Sequence, residues 1–323
     1  METGATVRPG RYAIVDVGTV TCRMLVADID ASGALHELRR EYSIVNLGEG
    51  VDASRTLQTA AIERAAAVIG GYRAVVDALD AADGTETEMR ALATSAARDA
   101  ANRDELVERV GRVGVGLSVI PGQTEARLSF AGASMDFPGE HLLVVDVGGG
   151  STEIVAGCGG QAPQRSHSFD VGCRRMTERY LRNDPPSCDE IARAEAWALA
   201  QMEPFFRQLR EDGIEWGRLI AVAGTATSAV SIKERMDTYD SSRVHGYAMG
   251  ADALREEAVR LASMPLDARR TVTGLDPDRA PVIVAGLSIL STVIALAGVD
   301  SYTASETDIL QGAALAVARG ERL

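Results

Sequence analysis

Lysine is almost absent from this sequence: Lys233 is the single lysine among 33 Lys and Arg residues. A phosphate loop of the Walker type needs the pattern Gly-Lys-Ser/Thr, in which the lysine reaches the β- and γ-phosphates of a nucleotide. Lys233 lies in SIKERM instead. The sequence therefore excludes this way of binding nucleotides.

Cysteine and histidine, with four residues each, are also scarce. Cys22, Cys158, Cys173 and Cys188 form neither a Cys-x-x-Cys pair nor a zinc-like group with the histidines. We interpret them as reduced thiols of a cytoplasmic protein. The first residues show no charged segment followed by an apolar one, so no signal peptide is expected.

Positive charge is outweighed by negative charge, and the net charge is −13. A general nucleic-acid-binding protein would carry a broad basic face, so nucleic acid is not an expected partner. A local cluster of cations and backbone N–H groups can still hold a polyanion. The uncharged stretch 280–299 has membrane-like length, but its Pro, Gly, Ser and Thr residues favour a buried core helix, and no membrane association is expected.

Two stretches of the chain resemble each other. Apolar runs at 12–17 and 23–29 flank a short turn and predict a β-hairpin, and the order recurs in LLVVDVGGGSTEIVAGC (142–158). Apolar residues at three-to-four spacing predict helices at 59–80, 189–211, 281–297 and 305–318. Strands that alternate with helices indicate an α/β protein. Two similar halves, each opening with an Asp-Gly hairpin, predict two domains with a cleft between them.

The second hairpin turn, DVGGGSTE, has the chemistry of an anion site. Its glycines permit close approach of the main chain to a ligand, and successive N–H groups form a nest for anions. The expected phosphate contacts in this turn are Gly148, Gly149, Gly150, Ser151 and Thr152. Asp146 and Glu153 bracket it, and two carboxylates would repel a phosphate unless a hard cation such as Mg²⁺ lies between them.

The first hairpin turn, DVGTVTCR, supplies polar groups at matching positions. The expected contacts are Asp16, Gly18, Thr19, Thr21 and Arg23, whose guanidinium can hold a phosphate through two hydrogen bonds. A tight turn alone explains Gly and Asp in either hairpin. Because both hairpins carry the pattern, we interpret them as two halves of one phosphate clamp.

The paired hairpins resemble the phosphate motifs of the actin–hexokinase–heat-shock-protein ATPase superfamily. Further motifs of this superfamily follow along the chain: ALATSAARDAANRDEL, VIPGQTEARLSFAGA, SFDVGCRRMTERYL, AVAGTATSAVS, RVHGYAM and SETDILQGAAL. Over nearly the whole length of the chain these segments are similar to the exopolyphosphatase / guanosine pentaphosphate phosphatase family. The Thr-Glu-Ala-Arg-Leu element of VIPGQTEARLSFAGA is specific to that family.

The resemblance implies two ribonuclease-H-like domains with the active site in the interdomain cleft. The expected domains are 1–131, completed by the C-terminal helix 305–323, and 132–304. It also implies a homodimer, dependence on Mg²⁺ or another divalent cation, and release of terminal phosphate by water. We expect the short form of the family, because the sequence contains no counterpart of the extra C-terminal helical domain of longer members.

Matching positions imply roles for single residues. Glu125 matches the catalytic glutamate, and Asp146 and Glu153 match the carboxylates that organise metal and water. Arg23 matches the arginine that grips phosphate, and Arg98 matches a second arginine near the phosphates. The remaining expected phosphate contacts are Thr94, Gly224, Thr225 and His245. Val20 stands where the family usually has Asn, which weakens the expectation that every side chain of the first turn contacts phosphate.

Several residues keep two interpretations at this level. Glu125 could only stabilise a helix N-terminus, or it could be a general base with raised proton affinity. His245 could contact substrate phosphates or be a hydrogen-bonded scaffold residue. Glu49 could lie near the cleft or in an ordinary turn. The arginines of 174–182 could be a solvated helix face or a track for a polyanion.

The expected function is hydrolysis of terminal phosphate from inorganic polyphosphate, preferably from short chains, with Glu125 as the general base. The same chemistry on guanosine pentaphosphate is the alternative. A sugar or acid kinase is disfavoured by the Thr-Glu-Ala-Arg-Leu element. A phosphate or nucleotide sensor without turnover is disfavoured by the combination of Asp146, Glu153 and Glu125.

Overall fold

The computed structural model describes residues 7–323. These residues divide into two compact units: unit 1 contains the chain up to Leu128 together with Ile309–Leu323, and unit 2 contains Ser129–Asp308. The expected boundaries, 131/132 and 304/305, lie three and four residues away from these. The first difference falls inside one helix, Gly122–Ala133, which begins in unit 1 and ends in unit 2.

Unit 1 is built on a five-stranded sheet with the order β3-β2-β1-β4-β5. The first three strands are antiparallel, whereas β4 and β5 run parallel to β1. Its elements, together with the helix that continues into unit 2, are β1 (Gly10–Val17), β2 (Thr21–Ile29), β3 (Leu35–Ile44), α1 (Val51–Ser54), α2 (Thr59–Asp83), β4 (Thr87–Ala93), α3 (Ser95–Asp99), α4 (Arg103–Gly111), β5 (Leu117–Val119) and α5 (Gly122–Ala133).

Unit 2 is built on a six-stranded sheet with the order β10-β11-β9-β6-β7-β8. Its elements are β6 (His141–Val147), β7 (Thr152–Cys158), β8 (Arg165–Phe169), α6 (Cys173–Tyr180), α7 (Cys188–Glu211), β9 (Arg218–Val222), α8 (Ala223–Lys233), α9 (Ser241–Val244), β10 (Ala248–Gly250), α10 (Ala251–Ala262), α11 (Leu266–Arg269), α12 (Ile283–Ala297) and β11 (Ser301–Ala304). The chain then returns to unit 1 as α13 (Ile309–Ala318).

The sheet of unit 1 is covered on both faces. Alternate residues of β1 and β2 belong to two hydrophobic clusters, because successive side chains of a strand point to opposite faces. One cluster contains Ala13, Val15 and residues of α2 and α4. The other contains Ile14, Leu128 of α5 and most of α13. This arrangement explains the long apolar runs of β1 and β2, which do not alternate with polar residues.

The predicted hairpins and helices are present, with two differences. The helix expected from 305 begins at Ile309, because Ser305 still donates its N–H to Ala221 at 3.0 Å beside β9. The charged segment Leu35–Ile44 forms an edge strand that the sequence did not predict. The membrane-like stretch folds as α12, with most residues buried. Within residues 7–323, no helix combines the length and apolarity that crossing a membrane requires.

A first prediction concerns glycines within helices. A Cβ on Gly132 of α5 would lie 1.8 Å from the carbonyl oxygen of Asp308, so Gly132→Ala should destabilise unit 2 by about 1–3 kcal/mol. Gly71 of α2 has nothing within 4 Å of such a Cβ, so Gly71→Ala should stabilise the protein by about 0.5–1 kcal/mol. Thermal unfolding of both variants checks this. Equal stability of the two variants would contradict the packing described around Gly132.

Candidate active site

The two Asp-Gly turns close in the same way. The N–H of Gly18 donates to the carbonyl of Thr21 at 2.8 Å, and the N–H of Gly148 donates to that of Ser151 at 3.0 Å. A Cβ on Gly18 would lie 3.1 Å from the carbonyl oxygen of Thr21, and a Cβ on Gly148 would lie 3.1 Å from that of Ser151. Because the two turns have the same geometry, the Asp-x-Gly pattern occurs twice in the sequence.

The residue opposite each aspartate differs in charge between the two units. In unit 1, Asp16 is the cross-strand partner of Arg23, and the two form an ion pair at 2.7 Å. In unit 2, Asp146 is the partner of Glu153. Directly opposite residues of antiparallel strands share one face of the sheet. The first hairpin therefore holds a carboxylate–guanidinium pair and the second holds two carboxylates.

Unit 1 gathers further predicted residues around its hairpin. The N–H of Thr94 donates to the carbonyl of Val17 at 3.3 Å, which places the start of α3 at the end of β1. Arg98 of α3 forms a short ion pair with Glu125 of α5 and donates to the carbonyl of Ile120 at 3.2 Å. The two side chains meet because α3 and α5 follow β4 and β5, which are neighbouring strands of the same sheet. Their ion pair holds the carboxylate of Glu125 in place.

Glu125 is a buried carboxylate, with 7% of its surface exposed. Burial raises the pKa of Glu125 to about 7, because desolvation disfavours the charged form, and the nearby Asp16 adds to the rise. Arg98 and Arg23 act in the opposite direction and only partly offset burial. A carboxyl group with this proton affinity can accept a proton near neutral pH and release it again.

The first turn is supported from behind by residues 45–48. The carbonyl of Val20 accepts the N–H groups of Val45 and Asn46, both at 2.9 Å, and the carbonyl of Thr19 accepts that of Gly48, also at 2.9 Å. A Cβ on Gly48 would lie 2.3 Å from the methyl group of Thr19. Val20, at the position where the resemblance led us to expect Asn, is buried. The Thr19 hydroxyl is buried and has no hydrogen-bond partner among the described residues, so it is poised for a ligand.

The second turn is supported in a similar way by the start of α6. The carbonyls of Gly148 and Gly149 accept the N–H groups of Cys173 and Arg174, at 2.9 and 2.8 Å. A Cβ on Gly172 would lie 2.4 Å from the carbonyl oxygen of Gly149, so only glycine fits there. The N–H of Gly148 closes the turn. Because α6 engages the carbonyls, the N–H groups that follow Gly148 are what the turn can offer to a ligand, and such groups attract anions.

The two carboxylates of unit 2 are fixed by serine hydroxyl groups. Ser129 donates to Asp146 at 3.1 Å, and Ser168 donates to Glu153 at 2.6 Å. Among residues 7–323, no group of three or more His, Cys, Asp or Glu side chains could by itself hold a metal ion. Mg²⁺ commonly uses one or two protein carboxylates together with waters and substrate phosphates. The paired carboxylates on one sheet face fit this kind of site.

The segment around Gly224 packs against the second hairpin. The Thr225 hydroxyl donates to the carbonyl of Val147 at 3.1 Å. A Cβ on Gly224 would lie 2.2 Å from the guanidinium of Arg279, which is 7% exposed. Ala223 has a φ of 62°, a strained conformation for a residue with a Cβ. Sequence reasoning missed Arg279, because DPDRAP carries no pattern that indicates a buried cation.

Two side chains that kept two interpretations, His245 and Glu49, lie as follows. His245 accepts the N–H of Glu306 through Nδ1 at 3.2 Å and lies 3.5 Å from Asp136, as a scaffold residue would. Glu49 is exposed and lies 3.8 Å from Arg64.

Three of the four arginines of 174–182 have partners, and the fourth, Arg182, is exposed. Arg175 is buried and donates to the carbonyl of Gly150 at 2.8 Å, Arg174 lies 3.5 Å from Glu178, and Arg179 packs over the Trp197 ring at 5.2 Å.

The two sheets and their Asp-Gly hairpins are those of the actin-like ATPase fold, as the sequence predicted. The Ppx/GppA phosphatase family matches residues 25–315, and the chain belongs to this family. Exopolyphosphatase 2 of Mycobacterium tuberculosis is 37% identical over 325 residues, which cover 95% of this chain and 98% of that protein.

Solved structures agree with this assignment. An exopolyphosphatase-like protein has 32% identity and a TM-score of 0.86 over 97% of this chain and 99% of its own. The PPX-GPPA enzyme of Aquifex aeolicus has 26% identity and a TM-score of 0.77 over 95% of this chain and 99% of its own. The prediction of an enzyme that hydrolyses phosphate bonds is therefore confirmed.

The raised pKa of Glu125 leads to a prediction about pH. The carboxylate accepts a proton only when it is deprotonated, so the rate of phosphate release should rise as pH increases through about 7. Glu125→Gln should lower turnover by roughly 10²–10⁴-fold and abolish this rise. The matched control is Glu108→Gln, which changes an exposed glutamate of the same unit and should leave the profile unaltered. Retention of more than about half of the wild-type rate by Glu125→Gln would refute the role.

Proposed function

We propose that the protein is an exopolyphosphatase, which releases the terminal phosphate of inorganic polyphosphate by attack of water. The observation that carries the proposal is a buried glutamate of unit 1, Glu125, which is ion-paired with Arg98 near Asp16 and Arg23 and whose pKa is raised to about 7. Similarity to Exopolyphosphatase 2 supports polyphosphate as the substrate. Cytoplasmic location, which the cysteine pattern suggests, and a homodimer, which the resemblance implies, stay predictions.

In this proposal each group has a distinct task. The turn N–H groups and the Thr19 hydroxyl hold phosphate oxygens, and the guanidinium groups of Arg23 and Arg98 balance their charge. Glu125 takes a proton from the attacking water at its carboxylate oxygen. Arg98 keeps the carboxylate in place through its hydrogen bond to Glu125. The oxygen of the water bonds to the terminal phosphorus as the P–O bond to the shortened chain breaks, and the shortened chain leaves. Burial of Glu125 matters because an exposed glutamate would be too weak a base near pH 7.

Asp146 and Glu153 are the residues that would hold a divalent cation. When bound, Mg²⁺ supplies positive charge to the phosphate oxygens and orders water. The two carboxylates are held by Ser129 and Ser168, so they keep one orientation without the ion. Ordered ligands reduce the cost of binding a small cation that tolerates little distortion.

Hydrolysis of guanosine pentaphosphate is the second candidate, because the family includes phosphatases of both kinds in its name. Every group named above acts on the terminal phosphate, so none of them distinguishes the two substrates. Discrimination must come from residues that contact the part of the substrate beyond the phosphates.

The metal proposal predicts a response to chelation. Excess chelator should abolish phosphate release and added Mg²⁺ should restore it, because the carboxylate pair needs a cation to tolerate phosphate. Asp146→Asn should lose most of the response to Mg²⁺. Asp267→Asn, which changes an exposed aspartate of unit 2, is the control and should respond as the wild type does. Full activity in excess chelator would rule out a metal-assisted reaction.

The contacts of the arginines of 174–182 lead to a prediction about the way in which long polyphosphate chains are hydrolysed. Processive hydrolysis needs an extended basic track, and salt limits the reach of a remote charge to about 8 Å. Arg175 and Arg174 are engaged by a turn carbonyl and a glutamate. The two exposed cations that remain, Arg179 over an indole ring and Arg182, are too few to form such a track. We therefore expect preference for short chains and release of the product after each step. Electrophoresis of a reaction on a long chain of defined length should show a ladder of intermediates. Disappearance of long chains without intermediates would contradict this.

A further inference from the structure

The unpredicted strand β3 brings an aromatic side chain next to the phosphate site of unit 1. Tyr42 is the cross-strand partner of Arg23, which is itself the partner of Asp16. Residues directly opposite each other on antiparallel strands share one face, and neighbouring strands lie about 4.8 Å apart. Asp16, Arg23 and Tyr42 therefore form one row across the sheet.

The row leads from the buried site towards the edge of the sheet. Asp16 is 6% exposed, and the Arg23 side chain is 17% exposed. Tyr42, on the outermost strand, is 43% exposed. A large ring with this exposure is not required by the core of unit 1. It lies on the row that begins at Asp16 and Arg23, at the end nearer the edge of the sheet.

The chemistry of a phenol ring selects one kind of substrate. The face of the ring carries negative charge, so it offers nothing favourable to a chain of phosphates. A nucleobase, in contrast, stacks on an aromatic ring whichever base it is, because every base has a flat π-face. Of the two candidate substrates, only the nucleotide carries a group that this ring can bind.

We propose that Tyr42 is a specificity-determining residue, whose ring stacks on the base of a guanosine 5′-polyphosphate while Arg23 holds the phosphates. This inference rests on the proposed phosphatase function and adds a residue that separates its two candidate substrates. Arg23 and Asp16 serve both substrates, whereas Tyr42 acts on the nucleotide.

The test compares two substrates in the full-length protein. The kcat/KM for phosphate release is measured on guanosine pentaphosphate and on a short inorganic polyphosphate. Tyr42→Ala should lower the kcat/KM for guanosine pentaphosphate, relative to that for polyphosphate, by about tenfold or more. This is the effect expected for loss of one stacked base. Tyr42→Phe keeps the ring and should keep the ratio. The matched control is Leu38→Ala, because Leu38 lies on the same strand and is also 43% exposed.

Two results would overturn the proposal. An equal fall on both substrates in Tyr42→Ala would mean that the ring only positions Arg23. A fall in Tyr42→Phe as large as in Tyr42→Ala would mean that the hydroxyl, not the ring, binds the substrate.

A binding measurement separates this proposal from the proposed reaction. Calorimetric titration of the Glu125→Gln protein with GTP and with tripolyphosphate needs no turnover. Tyr42→Ala in this background should weaken GTP binding by about tenfold relative to tripolyphosphate. If the wild type hydrolyses neither substrate, the proposed function fails, and this relative affinity still decides the role of Tyr42. An unchanged relative affinity would refute it.

Discussion

The antiparallel register of the two Asp-Gly hairpins is the constraint on which the candidate site depends. Each turn has the same length and the same closing hydrogen bond, so the residue seven positions after the aspartate always lies opposite it. In unit 1 this residue is Arg23, and in unit 2 it is Glu153. One backbone design therefore yields a neutralised pair in one unit and an acidic pair in the other. Insertion or deletion of one residue in either turn would shift the strand register and move the side chain of the partner to the opposite face of the sheet.

Burial then decides what the carboxylates can do. Asp16 and Glu125 are similarly buried and both lie beside an arginine. For Glu125, desolvation outweighs the guanidinium of Arg98, and the pKa rises to about 7. The ion pair consequently serves to orient the carboxylate rather than to keep it ionised. A buried pair of this kind is weak support for stability but strong support for a fixed geometry.

The turns themselves are stiff because other segments fill the space behind them. Gly48 packs on Thr19 of the first turn, and Gly172 packs on Gly149 of the second. At each place a Cβ would overlap its neighbour, so these glycines permit close approach rather than flexibility. A turn that is held from behind needs little reorganisation when a charged ligand binds, which is the condition for electrostatic stabilisation of a reaction.

The sequence by itself determined the α/β class, both hairpins and the polar residues in their turns, because apolar runs and Asp-Gly turns are local signals. It also placed Glu125 at a helix start, but the alternative of a helix-stabilising residue stayed open, since spacing carries no information on burial. Only the tertiary structure decided that Glu125 is desolvated, that Arg279 lies against Gly224 and that Arg175 donates to the carbonyl of Gly150. It also decided the place of Tyr42. The charged segment LHELRREYSI looks like a surface loop, and only pairing with β2 makes it a strand, because an edge strand needs no apolar face of its own.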